Sequence, residues 1–291
     1  MTNLMQKIEE SFPSFSKGQK RIADFITNRY DDAAFLTAAK LGKAANVSES
    51  TVVRFAYTLG FDGYPAMQGA LQELIRRRLT SVQRIRLAEN IKEDDVPRQV
   101  LTADIANIRA TIDMIDSAAF SGATNAILTA ERVYVLGVGS AAPLAQFLAT
   151  YLGYIRDDVL YVCGSEQDIY ERMLRISGGD LCFGITFPRY STRTVHGMRY
   201  AKEHGAKLVA LTDLSTSPVA ELSDYALYAR SDMASFADSL TAPLSVINAI
   251  LVSIGLKRKD ETYKHLMQLE KIWSREGVYV KEAARSDGGD A

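Results

Sequence analysis

The sequence contains few of the residues that form covalent or metal cross-links. Its 291 residues include two cysteines, Cys163 and Cys182, and three histidines. Both cysteines lie in or at the end of apolar runs, and the histidines are not spaced from them as metal ligands would be. Cysteines in such positions behave as small, buried hydrophobic residues and are typical of proteins in a reducing compartment. We therefore expect no disulfide scaffold, no metal site and no bound cofactor.

Long hydrophobic runs are also missing. The most apolar long stretch, residues 244–256, is interrupted by Ser245, Asn248 and Ser253 and is too short to cross a bilayer. This stretch fits a buried helix. The first residues lack the apolar core of a signal peptide. We therefore expect a cytoplasmic protein with no membrane partner.

The nearly neutral net charge hides an uneven distribution. The formal charge is −1, but residues 1–92 carry 14 Lys and Arg against 9 Asp and Glu, a net of +5. The remaining residues carry 20 against 26, a net of −6. A basic segment on an acidic body favours a polyanionic partner for that segment. Chance unevenness is the alternative, so the charge distribution supports this interpretation without deciding it.

The N-terminal part shows helical periodicity up to about residue 86. Ile22, Phe25, Ile26 and Tyr30 have the spacing of one apolar helix face. Thr37 is a good N-cap for a second helix. Ser48 is a good N-cap for a third helix that runs to residue 59. No convincing strand alternation occurs here, so we predict an all-α domain.

The spacing of apolar residues along the chain changes after residue 132. Short apolar runs rich in Val, Leu, Ile and Tyr predict strands at residues 133–136, 159–163, 181–185, 208–211 and 226–228. Helical stretches are predicted between them at residues 142–155, 167–177, 192–204 and 219–222. Strands that alternate with helices indicate a parallel sheet covered on both faces. Ligands bind such sheets at the carboxyl ends of the strands.

The segment between residues 37 and 59 has the layout of a helix-turn-helix, whose second helix enters the major groove of DNA. Ser48, Ser50 and Thr51 lie at the start of that helix, and Arg54 follows one turn later. Short hydroxyl side chains can approach base edges and phosphates. Arginine has the reach and the fork geometry for guanine. We predict that these four residues contact DNA.

Basic residues accompany this segment. Lys17, Lys20, Lys40 and Lys43 are predicted to contact phosphates, which fixes the register on DNA without reading sequence. The alternative is a plain helical bundle with solvated lysine, arginine and serine side chains.

The same region resembles a known family. Residues 16–23, SKGQKRIA, and the later stretch LTAAKLGKAANVSESTVVRFAYTLGFDGYPAMQGAL are similar to the N-terminal domain of RpiR regulators. The turn, the Thr-Val-x-Arg-Phe helix and the Gly-Phe-x-Gly-Tyr exit appear in the family's order. The chain has Gly42 at a position where the family commonly has alanine. We expect a glycine in the middle of a helix to lower the stability of that helix and to have no other effect. The resemblance implies a double-stranded DNA operator as partner.

The second half extends the resemblance, because RpiR regulators pair that domain with a sugar-isomerase (SIS) domain. The stretch VYVLGVGSAAPLAQFLATYL resembles the first strand, loop and helix of such a domain. In the loop, Gly137 and Gly139 let backbone amides approach an anion, and Ser140 offers a hydroxyl at the start of a helix. We expect a small anionic effector here, either a sugar phosphate or a sugar acid.

The segment after the third strand departs from the SIS pattern. SIS domains that bind phosphosugars usually show Ser-x-Ser-Gly-x-Thr, whereas this chain has Thr186, Pro188, Arg189 and Ser191 at the corresponding positions. Thr194 ends the predicted ligand segment. Arg189, and Arg193 further on, could supply charge where the hydroxyls are missing. The alternative is that both arginines lie on the surface or contact a partner subunit.

Two enzyme interpretations remain open. Gly137-x-Gly139-x-x-Ala142 fits a dinucleotide fingerprint, with Glu166 at about the right distance for a ribose contact. A sugar-phosphate isomerase is the other; Asp213 and Asp232 are candidate bases for it. Neither aspartate has an evident acid partner at the strand ends, and neither enzyme explains the helix-turn-helix, so we predict a regulator without catalytic residues.

The predicted organisation is an all-α helix-turn-helix domain at residues 1–80, a connecting segment at 81–116 and an α/β SIS domain at 117–280. We expect residues 281–291 to form a disordered tail. A helix-turn-helix regulator binds two DNA half-sites related by a two-fold axis, with one recognition helix in each half-site. Because each chain supplies one such helix, we expect a homodimer or a tetramer.

Overall fold

The computed structural model describes residues 4–75, 85, 93–233 and 237–280. The predicted tail and part of the predicted connecting segment lie outside these residues. The chain divides into two compact units. The N-terminal unit comprises Met1–Ala103 with Asp232–Asp238, and the C-terminal unit comprises Asp104–Ser231 with Ser239–Ala291.

The N-terminal unit is helical, as predicted. Its helices are α1 (Leu4–Ser11), α2 (Lys17–Asn28), α3 (Tyr30–Ala33), α4 (Ala38–Ala44), α5 (Glu49–Thr58) and α6 (Tyr64–Ile75), and α7 (Val96–Asp113) begins within it. The predicted caps are confirmed: the hydroxyl of Thr37 accepts from the amide of Lys40 at 3.3 Å, and that of Ser48 accepts from the amide of Thr51 at 3.3 Å. These side chains satisfy amides that the first helical turn leaves unpaired.

The core of the N-terminal unit is formed by apolar side chains from several helices. Ile22, Ile26 and Phe55 are fully buried in it. The prediction that Tyr30 continues the face of Ile22 and Ile26 is wrong in one respect. Helix α2 ends at Asn28, and Tyr30 begins α3, from which it still packs against the same core.

A five-stranded parallel sheet organises the C-terminal unit. Its strands are β1 (Val133–Gly137), β2 (Val159–Val162), β3 (Leu181–Ile185), β4 (Lys207–Thr212) and β5 (Tyr225–Tyr228), in the order β2-β1-β3-β4-β5. In register, Val133 of β1 pairs with Val159 on one side and with Leu181 on the other. The chain leaves β1 toward β2 and returns past it to β3, so the direction of winding reverses between β1 and β3.

Helices cover both faces of the sheet. They are α8 (Ser117–Thr129), α9 (Ala142–Gly153), α10 (Glu166–Met173), α11 (Thr192–Glu203), α12 (Thr241–Lys257) and α13 (Lys259–Glu276). Val133 and Val135 point to the core beneath α8, α9 and α12, whereas Tyr134 and Leu136 point to the core beneath α10 and α11. This alternation is the two-residue period of a strand buried on both faces.

A buried ion pair connects the starts of β1 and β3. The guanidinium of Arg132 donates two hydrogen bonds to Asp180, from Nε to Oδ1 at 2.9 Å and from Nη2 to Oδ2 at 2.9 Å. The amide of Ser177 also donates to Asp180 at 2.8 Å. Asp180 is 1% exposed. The hydrogen bond to Asp180 raises the pKa of the Arg132 guanidinium, so the arginine stays charged.

Two sequence expectations for this unit need correction. Residues 219–222 form turns and not the predicted helix; the hydroxyl of Ser217 accepts from the amide of Ala220 at 3.2 Å, and the hydroxyl of Ser223 donates to the carbonyl of Val219 at 2.7 Å, so flanking serines bond this backbone. Helix α13 was not predicted; no side chain of this helix is buried.

Of the two thiols, Cys182 is fully buried, which raises its pKa to about 12, whereas Cys163 is half-buried. Among the described residues, no helix is long and apolar enough to span a membrane.

Candidate functional site

The turn between α4 and α5 is closed by backbone contacts. The amide of Val47 donates to the carbonyl of Gly42 at 2.8 Å, and Asn46 adopts a left-handed φ of 55°. A Cβ on Gly42 would lie 2.9 Å from the carbonyl oxygen of Val47. We expect Gly42 only to lower the stability of the helix. The structure shows a further role, because the absence of a side chain at Gly42 lets the turn pass close to α4.

Helix α5, the predicted recognition helix, presents a polar face. Ser50 and Arg54 are exposed, whereas Thr51 is half-buried near Gly18 of α2. The Ser48 hydroxyl lies 2.9 Å from that of Ser50 and 2.8 Å from that of Thr51. Ser48 is thus engaged as the helix cap, and Ser50 and Arg54 are the predicted contacts that face solvent most openly.

The predicted phosphate-binding lysines lie on α2 and α4, two of the helices that pack against α5. Lys17, Lys40 and Lys43 are exposed, and the ammonium of Lys20 lies 5.5 Å from the ring centroid of Phe12. The side chain of Gln19 joins α2 to α5 by donating to the hydroxyl of Thr58 at 2.9 Å. Positive charges on α2 and α4 are thereby held beside the recognition helix.

Tyr57 is a candidate DNA contact that sequence reasoning missed. It lies on α5 three residues after Arg54 and is 60% exposed. In the run VVRFAYTLGF an aromatic residue is naturally assigned to the core. The signal that could have identified it is its spacing of three from Arg54 and seven from Ser50, which places all three on one helix face.

The predicted ligand residues of the C-terminal unit lie at the carboxyl ends of β1 and β3. Gly137 is the buried last residue of β1. Gly139 has a left-handed φ of 64° and is exposed together with Ser140. These residues lead into α9. Because β1 and β3 are neighbours in the sheet, this loop lies at the same edge as the loop that begins at Thr186.

The loop after β3 is held by its own polar groups. The amide of Ser191 donates to the hydroxyl of Thr186 at 3.1 Å. Between them Arg189 is exposed and adopts a left-handed φ of 64°. A non-glycine residue in that conformation is uncommon and persists where the surroundings enforce it. The structure therefore presents the Arg189 side chain on a constrained loop.

Thr194 occupies a different environment from the other predicted ligand residues. It is completely buried in the first turn of α11, and its hydroxyl has no hydrogen-bond partner among the residues that the structure describes. A buried hydroxyl without a partner is costly, and such groups often mark a place where a further polar group binds.

Asp213, a candidate base for the isomerase interpretation, follows β4 and is 7% exposed. Its carboxylate accepts a hydrogen bond from the hydroxyl of Tyr190 at 2.7 Å and another from the hydroxyl of Thr212 at 3.3 Å. This carboxylate thereby positions the loop that carries Arg189. In the parts of the chain that the structure describes, no group of three His, Cys, Asp or Glu side chains is placed to bind a metal ion.

Glu166, the ribose-contact candidate of the dinucleotide interpretation, is engaged with protein groups. It accepts from Nδ1 of His196 at 2.8 Å and from the hydroxyl of Tyr170 at 3.2 Å. The bond from His196, and then that from Tyr170, lower the pKa of this carboxyl below its ordinary value of 4.5.

We predict that His196→Ala raises the pKa of Glu166 toward its ordinary value, as measured by carbon-13 NMR titration of the carboxyl. A carboxyl whose pKa is lower in the folded than in the unfolded state stabilises the fold at pH values above the unfolded-state pKa. This stabilisation is lost as the pH falls through the folded-state pKa. The stabilisation from the His196–Glu166 hydrogen bond is therefore present at neutral pH and is lost as the pH falls through the acidic range in which Glu166 becomes protonated. An unchanged Glu166 titration in the variant would contradict the assignment, and His204→Ala serves as the control histidine.

Comparison with known proteins matches both units. Residues 2–77 match the family described as helix-turn-helix domain, rpiR family, and residues 126–253 match the SIS domain. An HTH-type transcriptional regulator of Haemophilus influenzae is 29% identical over 228 residues, which are 77% of this chain and 79% of the relative.

Solved structures agree with these matches. The sugar isomerase domain of an RpiR transcription factor from Sphaerobacter thermophilus superposes with a TM-score of 0.59 at 28% identity, covering 61% of this chain and 99% of that one. Vibrio vulnificus NanR, solved with ManNAc-6P, shares the fold with a TM-score of 0.58 at 22% identity, covering 96% of this chain and 100% of that one. The chain therefore carries a helix-turn-helix domain of the rpiR family followed by a SIS domain.

Proposed function

We propose that this regulator binds a double-stranded DNA operator through α5 and a small anionic, sugar-phosphate-like effector at the carboxyl edge of its sheet. The observation that carries the effector assignment is the convergence of two loops, Gly137–Ser140 and Thr186–Ser191, where the winding of the sheet reverses. Ligands of open α/β sheets bind at this position.

The chemistry of the two loops suits an oxyanion. The β1 loop contains glycines and leads into the N-terminus of α9, so backbone amides and the helix dipole favour negative charge there. Arg189 adds a guanidinium that matches phosphate or carboxylate geometry. The fold is shared with NanR, which was solved with a sugar phosphate. This supports a sugar phosphate as the first compound class to test.

We propose regulation without catalysis. Asp213 is already held by Tyr190 and Thr212, and Glu166 by His196 and Tyr170, so these two of the three candidate carboxylates have structural partners. Incubation with sugar phosphates should show no isomerisation by NMR. The effector instead changes operator affinity, and by linkage the operator changes effector affinity by the same factor. We further propose a cytoplasmic homodimer or tetramer, since paired half-sites need paired recognition helices.

Thermal unfolding with a panel of ligands tests the effector assignment. The panel contains sugar phosphates, the same sugars without phosphate, sugar acids and inorganic phosphate. A ligand present at 100 times its Kd stabilises the folded state by about 2.7 kcal/mol, which raises the Tm measurably. A response to phosphorylated or acidic sugars alone supports the proposal, and no response to any member overturns it.

Arg189→Ala should weaken binding of the responding sugar phosphate about 10- to 100-fold, because a hydrogen bond to a charged group is worth about 1.5–3 kcal/mol. Calorimetry measures the change. Arg199→Ala is the matched control, since Arg199 is also an exposed arginine but lies on α11, two turns beyond its start. Equal affinities for the two variants would remove Arg189 from the site.

A further inference from the structure

Helix α7 runs from one unit of the chain into the other. Among the helices that the structure describes, α7 alone has residues in both: residues 96–103 belong to the N-terminal unit and residues 104–113 to the C-terminal unit. The chain enters the N-terminal unit again at Asp232, four residues after β5 ends, and leaves it at Ser239. These passages are the covalent routes by which a change in the C-terminal unit can reach the helix-turn-helix domain.

Two polar side chains of α7 bind the chain close to these passages. The hydroxyl of Thr111, which is 4% exposed, accepts from the amide of Arg230 at 2.9 Å. The carboxylate of Asp104 accepts from the hydroxyl of Ser239 at 2.5 Å and from that of Thr241 at 3.0 Å. Both ends of the segment between Arg230 and Ser239 are therefore tied to α7.

A series of hydrogen bonds connects this end of β5 with the proposed effector site. Tyr190, in the loop after β3, donates to the carboxylate of Asp213 at 2.7 Å. Thr212, the last residue of β4, precedes Asp213, and its carbonyl accepts from the amide of Ala229 at 2.9 Å. Ala229 is followed by Arg230, whose amide binds α7. The residues Thr212, Asp213 and Ala229 are all buried.

We propose that Thr111 is a positioning residue that couples the effector site to operator binding, by holding α7 to the hydrogen-bonded series that begins at Tyr190. When Arg189 contacts the anionic group of an effector, its neighbour Tyr190 shifts together with Asp213. A buried polar group that loses its partner is costly, so the linked groups move together and do not separate. The shift reaches Thr111 through the end of β5.

Effector binding then favours one position of α7 over another, and this preference is the differential affinity that a change of state requires. The inference rests on the proposed function and adds the residue through which its two sites communicate. A purely structural role for Thr111 makes a different prediction. Loss of its hydroxyl would then lower the Tm and leave the effect of the effector on operator affinity unchanged.

Hydrogen exchange of the full chain, measured by mass spectrometry without DNA or effector, tests the connection itself. Tyr190→Phe removes the hydroxyl at one end of the series, and amide exchange in peptides covering residues 104–113 and 229–233 should accelerate about 2- to 10-fold, the equivalent of one hydrogen bond. Tyr200→Phe is the matched control, because Tyr200 is also half-buried but lies on α11. Unchanged exchange in Tyr190→Phe, or an equal change in the control, overturns the proposal.

The coupling factor tests the role of Thr111. It is the ratio of the operator Kd with and without a saturating amount of the sugar phosphate or sugar acid that gives the largest thermal shift. Thr111→Val should bring this ratio at least about fivefold closer to one, since coupling between sites usually amounts to about 5- to 150-fold. The Kd of the same compound for DNA-free protein should stay within about twofold of wild type, because Thr111 lies outside both effector loops.

Two further variants separate coupling from stability. Thr111→Ser keeps a hydroxyl and should restore the wild-type coupling factor. Thr124→Val is the matched control, because Thr124 is a buried threonine of α8 whose hydroxyl donates to the carbonyl of Ser121 at 3.0 Å. A wild-type coupling factor in Thr111→Val, or an equal loss in Thr124→Val, overturns the proposal.

The outcomes distinguish this proposal from the proposed function. If no compound of the panel changes operator binding by wild-type protein, the proposed function fails, and the exchange experiment still decides whether Tyr190 and α7 are connected. If wild type and Thr111→Val respond equally, the proposed function stands and the coupling role of Thr111 fails. Far-UV circular dichroism verifies that each variant is folded, and the exchange experiment decides the matter if Thr111→Val is not.

Discussion

Arg54→Ala is expected to weaken operator binding by about 1–3 kcal/mol, or roughly 5- to 150-fold in Kd, if Arg54 reads a base. Arg54 is exposed on α5 one turn after Ser50, where its guanidinium can form a bidentate pair with guanine in the major groove. The loss should fall mainly on the specific sequence, because binding to phosphates by the neighbouring lysines is retained.

Fluorescence anisotropy at fixed salt measures this effect on the intergenic DNA beside the protein's own gene and on a scrambled duplex. Lys43→Ala is the matched control, since Lys43 is an exposed cation of the same domain that is predicted to contact phosphate. That variant should weaken binding to all sequences alike and reduce the slope of log K against log salt by about one. An Arg54→Ala variant that loses equal affinity for both duplexes would assign Arg54 to the phosphates.

Asp180→Ala is expected to lower the free energy of unfolding by about 3 kcal/mol, at the lower end of the range for breaking a buried ion pair. The lower end is chosen because the Arg132 side chain is 29% exposed and recovers part of its hydration. The variant also leaves the amide of Ser177 without its acceptor. The starts of β1 and β3 lose a shared connection, which weakens the whole sheet.

Urea unfolding gives the free energy, and the Tm should fall by roughly 6–12 °C for a domain of this size. Asp157→Ala is the control, since Asp157 is an exposed aspartate in the same unit. A change below about 0.5 kcal/mol in Asp180→Ala would show that the pair contributes little beyond its own desolvation cost.

The parts of this structure that could be predicted from the sequence are those determined by neighbouring residues. Thr37 and Ser48 cap helices through amides only three residues away, so neighbouring residues determine these boundaries. The strand at residues 181–185 was predicted with its observed bounds, because all five of its residues are buried and apolar or small. The two loops at the sheet edge were likewise assigned to one site, since parallel strands end on the same side.

Features that depend on distant contacts were not predictable in this way. Arg132 and Asp180 are 48 positions apart, and neither belongs to a motif. Thr194 resembles any other hydroxyl near a helix start, and only the packed structure shows that it is completely buried.

The hydroxyl cluster at the start of α5 bears on the entropy of DNA binding. A free serine or threonine side chain samples several rotamers and loses that freedom when it contacts DNA. The hydroxyls of Ser50 and Thr51 are already oriented by Ser48, at 2.9 and 2.8 Å. Much of this ordering has therefore taken place during folding. Binding at these positions should consequently show a smaller unfavourable entropy than an unrestrained pair of side chains would give.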